Sequence, residues 1–210
     1  MLRKLPIIAV FGSGAPLPDE RAAMARAVGA MVARLGGHLL TGGGYGVMAA
    51  AAEGFVAVDD RAGLSIGIIP RRADGGFDQP ARSDAGEAYP NPHTEIAIFT
   101  PLPARVADWQ TMPGRNHVNV LTADFVVALP GSVGTRNEIE MTAIYRDEMQ
   151  RPREQRRAIL VGPREEFAAD LRELFVHVET GAQAEQELRR LLRLRGLSST
   201  SEPHRDRRAG

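Results

Sequence analysis

Cysteine is missing from this 210-residue chain, which excludes disulfides, thiolate nucleophiles and cysteine-based zinc or iron–sulfur sites. Lysine is nearly missing too. Lys4 stands alone near the start, and every other basic side chain apart from histidine is an arginine. A pyridoxal-phosphate enzyme needs a Schiff-base lysine deep in its pocket, and a Walker A loop needs one beside its Ser or Thr. Both classes are set aside. Charge of either sign is balanced, Lys plus Arg and Asp plus Glu totalling 26 each, so nothing draws the chain to nucleic acid or to a membrane surface. No apolar run is long enough to span a bilayer. The run Leu5 to Phe11 is too short for a signal-peptide core and ends at Gly12 instead of a cleavage site. His38, His93, His117, His177 and His204 are scattered, with no pair at metal-ligand spacing. The expectation is a cytoplasmic chain with no metal, no cofactor and neither membrane nor nucleic acid as partner.

Short β-branched runs alternate with helical patterns, which predicts an α/β fold with a mainly parallel sheet. Strands are expected at Ile7–Phe11, His38–Leu40, Leu64–Ile69 (closed by Pro70), Thr94–Phe99, Asp124–Leu129 and Ala158–Val161. Met24, Val28, Met31, Val32 and Leu35 recur at helical spacing between an Asp19 N-cap and Gly36-Gly37. Further helices are expected at 47–52, 116–123, 135–149, 164–174 and 182–194, with a helical turn at 106–109. The stretch from Arg71 to His93 is rich in Gly, Pro, Asp and Ala and lacks periodicity, which reads as a lid near a ligand in preference to a simply disordered loop. Residues 1–195 are expected to form one nucleotide-binding domain, and 196–210, polar and Arg-rich, a disordered tail.

Three strand ends run into glycine turns: Gly12-Ser13-Gly14, Gly42-Gly43-Gly44-Tyr45-Gly46 and Gly131-Ser132-Val133-Gly134. In a parallel sheet all three lie at the carboxyl edge, where open α/β folds bind ligands. Glycine lets the backbone approach a ligand with no Cβ in the way. Each turn also aims free helix N-terminal N–H groups at one crevice. A phosphate is the expected occupant. A dinucleotide fingerprint fits poorly, because no third glycine follows Gly14 and Thr41 stands where a ribose-binding acid would end the second strand.

The run Leu129-Pro130-Gly131-Ser132-Val133-Gly134-Thr135-Arg136-Asn137-Glu138 resembles the P-G-G-x-G-T-x-x-E signature of the LOG proteins. That family sits in a Rossmann-like superfamily that also contains molybdenum-cofactor carrier proteins. Thr41-Gly42-Gly43-Gly44-Tyr45-Gly46-Val47-Met48 is similar to the family's other glycine motif, and Arg115 precedes Pro130 at the spacing of its catalytic arginine. The likeness covers roughly Ile7 to Val161, and Glu87-Ala88-Tyr89-Pro90-Asn91-Pro92 looks like a segment of the carrier proteins.

The resemblance implies a doubly wound Rossmann-like sheet of about six or seven strands. It also implies hydrolysis of the N-glycosidic bond of a nucleoside 5′-monophosphate. Pro130, Gly131, Ser132, Val133, Gly134 and Thr135 would then hold the phosphate, with Gly12, Ser13, Gly42, Gly43, Gly44, Tyr45 and Gly46 around the ligand. Glu138 would stabilise the oxocarbenium-like transition state or activate water, and Arg115 would supply a fixed cation. A homodimer is expected by the same resemblance. Thr135-x-x-Glu138 also reads as a capping box. Two positions depart from the family pattern: Ser132 replaces a glycine, and Asn116 replaces the basic residue after the arginine. The alternative function is a carrier or sensor that binds a phosphorylated ligand without turnover.

Overall fold

The computed structural model describes residues 5–72, 81–83, 86–104, 106–145 and 150–197. Seven strands form one sheet: β1 (Ile7–Phe11), β2 (His38–Thr41), β3 (Ser65–Arg71), β4 (Ile96–Pro103), β5 (Phe125–Ala128), β6 (Ala158–Val161) and β7 (Val176–Val178). The spatial order is β4-β3-β2-β1-β5-β6-β7, and all six neighbouring pairs are parallel. The chain winds outward from β1 to β4, then returns to lay β5 against the free side of β1. Strand order therefore reverses between β1 and β5, which places the binding crevice of a doubly wound sheet at their carboxyl ends.

Alternation along the central strands makes two cores. Ile8, Val10, Leu39, Phe125, Val127, Ile159 and Val161 face one way, packed with residues of α1 (Asp19–Arg34), α2 (Val47–Val56) and α6 (Gly181–Leu194). Ala9, Phe11, Leu40, Val126, Ala128, Ala158 and Leu160 face the other, packed with residues of α3 (Arg115–Thr122), α4 (Val133–Tyr145) and α5 (Ala169–Leu174). Such two-sided burial explains why these strands read as continuous apolar runs. Helices α1 and α2 approach very closely: a Cβ on Gly29 would sit 1.8 Å from the Ala51 carbonyl, and one on Gly54 2.1 Å from that of Arg26.

Local details differ from the sequence expectations. Asp19 is the first helical residue of α1, with Pro18 at the cap position and no side-chain cap bond. Its carboxylate, beside Glu20, acts through the helix dipole instead. Pro70 does not close β3; the strand continues to Arg71 across a register shift, a place where a missing N–H is tolerated. Residues 106–109 are not helical. Asp108 instead organises a turn, its carboxylate accepting from Gln110 N–H at 2.9 Å and the Thr111 hydroxyl at 2.8 Å. The helix expected over 164–174 breaks into a 3-10 turn (Arg164–Glu166) and α5, because Phe167 turns into the core between them. β7 is a further strand, short and half-buried at the sheet edge. Helix α4 begins two residues before Thr135, so Thr135 sits inside its first turn and not at its cap. The ends of the expected lid (71–72, 81–83, 86–93) are described, whereas 73–80 and 84–85 lie outside the described residues, as do 146–149 and the tail from 198.

Candidate functional site

The carboxyl ends of β1, β2, β3, β4 and β5 surround a cleft of about 670 Å³. Gly12, Ser13 and Gly14 follow β1, Gly42 follows β2, and Ser132, Gly134 and Thr135 follow β5; all line it. The first and third turns touch, since a Cβ on Gly131 would sit 2.9 Å from the Ser13 nitrogen and 2.1 Å from the Thr135 hydroxyl. The first α4 hydrogen bond of the i→i−4 type runs from Arg136 N–H to the Ser132 carbonyl at 3.1 Å. The N–H groups of Val133, Gly134 and Thr135 therefore have no helical carbonyl to meet. An anion in the cleft would meet these donors.

Arg115 and Glu138 both line the cleft, and both are buried, at 7% and 8% exposure. Arg115 is the first residue of α3, and its guanidinium lies on the second glycine turn. Among the described residues its one side-chain hydrogen bond, Nη1 to the Ile68 carbonyl, is long at 3.5 Å, and Nε has no hydrogen-bond partner. Burial pushes its pKa below the usual arginine value, offset in part by Glu138 and then Tyr89. An arginine keeps its charge regardless, so a buried cation with spare donors stands ready for an anion. Burial likewise pushes the Glu138 carboxyl from 4.5 up to about 7, against the pull of Arg115 and of Asn119. Asn119 is fully buried on α3 and donates through Nδ2 to Glu138 Oε1 at 3.3 Å. At neutral pH such a carboxyl exchanges a proton readily.

The second glycine motif divides by role. Gly42 faces the cleft, while Gly43, Gly44, Tyr45 and Gly46 are not among its described lining residues. Gly43 and Gly46 adopt positive φ of 70° and 62°. Gly43 N–H donates to the Thr41 hydroxyl at 3.1 Å. Gly44 leaves room for the Tyr89 hydroxyl, which would sit 2.4 Å from a Cβ there. The Tyr45 ring meets Tyr89 at 6.1 Å and its hydroxyl donates to the Ala88 carbonyl at 3.1 Å. Pro130, Gly131 and Val133 also sit outside the described lining and shape the turn. His117, close to Arg115 in the chain, is not among the described lining residues. Its Nδ1 accepts from Gly114 N–H at 3.0 Å and its Nε2 meets the Trp109 carbonyl at 2.9 Å, so it caps α3. Trp109 packs against His117 and Tyr145. Glu87 meets Ser83 in the hairpin and is not in the described lining.

Further residues that shape or line the site lie outside the glycine motifs. Asn91, buried at 1% exposure, latches residues 86–94 onto the second turn: its N–H donates to the Gly43 carbonyl at 2.7 Å and Nδ2 to the Gly44 carbonyl at 2.8 Å. Arg71, Arg72, Arg82 and Ser83 join the lining through the β3 end and the hairpin behind it. The advance signs of these residues were the unusual length of the aperiodic stretch and, for Asn91, the Glu87–Pro92 segment that looks like part of the carrier proteins. Among the described residues no His/Asp/Glu group is arranged to hold a metal ion, and no helix is long and apolar enough to cross a membrane.

Comparison with known proteins adds to this geometry. A profile of the SLOG cluster4 family matches residues 5–161. The chain belongs to the SLOG cluster4 family. No curated protein matches this SLOG chain. Among solved structures it is similar to the molybdenum cofactor carrier protein of Chlamydomonas reinhardtii, at 23% identity and a TM-score of 0.64 over 90% of this chain and 99% of that one. It is also similar to the molybdenum cofactor binding protein of Rippkaea orientalis, at 25% identity and a TM-score of 0.64 over 90% and 98%. A more distant likeness is to the single-stranded-DNA-binding DNA processing protein A of Helicobacter pylori, at 14% identity and a TM-score of 0.54 over 87% and 80%. The SLOG chain thus has the doubly wound, Rossmann-like parallel sheet that the family resemblance implies.

Proposed function

We propose that the cleft binds a nucleoside 5′-monophosphate and hydrolyses its N-glycosidic bond. The observation that carries this reading is the pairing, in one cleft, of a buried carboxyl titrating near neutrality with a buried cation of unused donors. The phosphate sits on the first turn of α4, between Ser132 and Thr135, and Ser13 closes the cradle. Glu138, one turn further along, faces the ribose. Water adds to C1′ and gives up a proton to the Glu138 carboxylate, while the C1′–N bond breaks and its electron pair leaves with the base. Arg115 stabilises the negative charge that develops on the leaving base. The departing base takes the proton, which leaves Glu138 ionised for the next cycle.

Free base measured after incubation with AMP, CMP and a cytokinin nucleotide tests this activity. Release no greater than from a Glu138→Ala control would overturn it. Binding without turnover is favoured by specific observations: Ser132 and Asn116 replace residues of the hydrolytic signature, and the similar molybdenum-cofactor proteins are named as a carrier and a binding protein. On that reading the same cradle holds the phosphate of a pterin or nucleotide cargo. Mass spectrometry of the natively purified protein distinguishes the two, a retained ligand with no base release marking the carrier.

The reading includes a cytoplasmic homodimer. Phe99 on edge strand β4, Met112, Leu121 on α3 and Ile144 on α4 are apolar side chains between 53% and 61% exposed, which a second copy would cover.

A further inference from the structure

We infer that Asn119 is a positioning residue for Glu138: its amide engages carboxyl oxygen Oε1, favours the ionised form and leaves Oε2 to act in the cleft. This deepens the proposed function and rests on its assignment of Glu138 as the group that works on the ligand. The first support is geometry. Asn119 lies one helical turn beyond Arg115 on α3, has no exposure, and donates through Nδ2 to Glu138 Oε1 at 3.3 Å. Among the described residues no hydrogen bond reaches Oε2, and Oε2 is not one of the polar atoms sealed away without a partner. Glu138 lines the cleft, whereas Asn119 is not among its described lining residues. The unengaged oxygen is therefore the one left to the cleft.

The second support is that one described contact sets the direction of the carboxyl. The backbone at Glu138 is fixed inside α4, its carbonyl accepting from the Thr142 hydroxyl at 2.7 Å, and Ile139 and Met141 beside it are buried in the core. Only the side chain can turn, and Asn119 is the described residue that grips its end by a hydrogen bond. Arg115 acts on the same carboxyl through charge, with no hydrogen bond or ion pair between the two side chains. Charge attraction falls off slowly and tolerates many orientations, whereas a hydrogen bond demands one.

The third support is cost. Asn119 Oδ1 is buried with no partner. A sealed amide oxygen without a donor is unfavourable, and an apolar side chain of similar shape would spare the fold that cost. The neighbours Val120 and Ala123 already belong to the apolar core. Packing alone gives no reason for an amide there; the Nδ2 bond to Glu138 does. A donor on Oε1 favours the charged carboxylate against the burial that disfavours it, and Arg115 is the other group that does so. The remaining ionisable side chains of the described lining are Arg71, Arg72, Arg82 and Tyr89.

Asn119→Leu and Asn119→Asp test this on the full chain. The Glu138 carboxyl is followed by NMR with isotope-labelled glutamate and assigned by its loss in Glu138→Gln. From about pH 7 in the wild type, its titration should move about one pH unit higher in the leucine variant, the worth of one hydrogen bond to a charged group. In the aspartate variant two carboxyls share one site and should hold a proton to at least as high a pH. Calorimetric affinity for AMP, measured below both midpoints, should stay within about twofold in the leucine variant, whose thermal midpoint should equal or exceed that of the wild type. Where base is released from AMP, kcat at neutral pH should fall by about tenfold with KM unchanged, and the rise of kcat/KM with pH should move up with the NMR midpoint. An unmoved Glu138 titration would overturn the inference: with a lower thermal midpoint Asn119 serves the fold alone, and with weakened AMP binding it is a ligand contact. If the leucine variant does not fold, the aspartate variant's titration decides by the same criterion. Absence of base release from the wild type would overturn the hydrolysis and leave this inference to the titration.

Discussion

The Arg115 guanidinium packs directly on the backbone of Gly42, so that a Cβ on residue 42 would lie 1.5 Å from Nη1 and 2.5 Å from Cζ. One side chain from the start of α3 thus occupies the space that a glycine at the end of β2 leaves open. Two distant segments of sequence make one half of the site.

Gly42→Ala should therefore act as a mutation of Arg115. The added methyl displaces the guanidinium, and phosphorylated-ligand turnover or affinity should fall by about a hundredfold, the scale of an ångström-sized misplacement at a reacting centre. Gly181→Ala, outside the cleft lining, is the matched control, because a Cβ there meets only Ala27 Cβ at an ordinary 3.7 Å. Steady-state kinetics and ligand titration on both variants check the contrast.

Glu138 ties stability to pH with a definite sign. With its pKa raised from 4.5 to about 7, the folded chain keeps a proton there that the unfolded chain has released. The group's contribution is fully present below the unfolded value and is lost as pH rises through the folded one. Glu138→Gln removes this titration. Relative to the glutamine variant, the wild type should lose up to roughly 3 kcal/mol between acidic pH and about pH 8, as followed by denaturant unfolding. In the active protein, a base at this position makes kcat/KM rise through about pH 7.

Helices α1 and α2 offer a stability change that spares the cleft. Gly54→Ala gains helix propensity of roughly 1 kcal/mol, yet its Cβ would lie 2.1 Å from the Arg26 carbonyl. Backbone on both sides must move, so the net effect should be a loss of about 1–3 kcal/mol. Thermal unfolding measures it, and ligand affinity at low temperature should be unchanged.

Phe99→Glu combined with Leu121→Glu places charge on the exposed apolar face of β4 and α3. Light scattering after size exclusion should show a dimer for the wild type and a monomer for the double variant. Unaltered mass would place any association elsewhere.

Much of the fold was legible in the chain because two-sided burial writes itself into sequence. Ile7–Phe11 and Ala158–Val161 read as strands without help from their neighbours, and both have the expected bounds. Elements whose limits depend on a distant partner were less legible. The 164–174 segment breaks where Phe167 finds the core, and β7 exists because β6 is there to pair with it.

The same division runs through the site. Gly12, Gly42 and the Gly131–Thr135 turn were readable because backbone approach to an anion demands small residues and a helix start, and those demands are local. The placing of Asn91, Asn119 and the cleft-lining Arg71, Arg72 and Arg82 was decided only in three dimensions. Asn91 reaches a turn 47 residues earlier, and Asn119 meets a carboxylate on the next helix. No period or spacing announces a hydrogen bond between segments that meet only after the sheet has wound twice. The sequence alone determined where backbone donors would lie exposed at strand ends. Tertiary structure decided which side chains were buried beside them, and with burial came the altered proton affinity of Glu138.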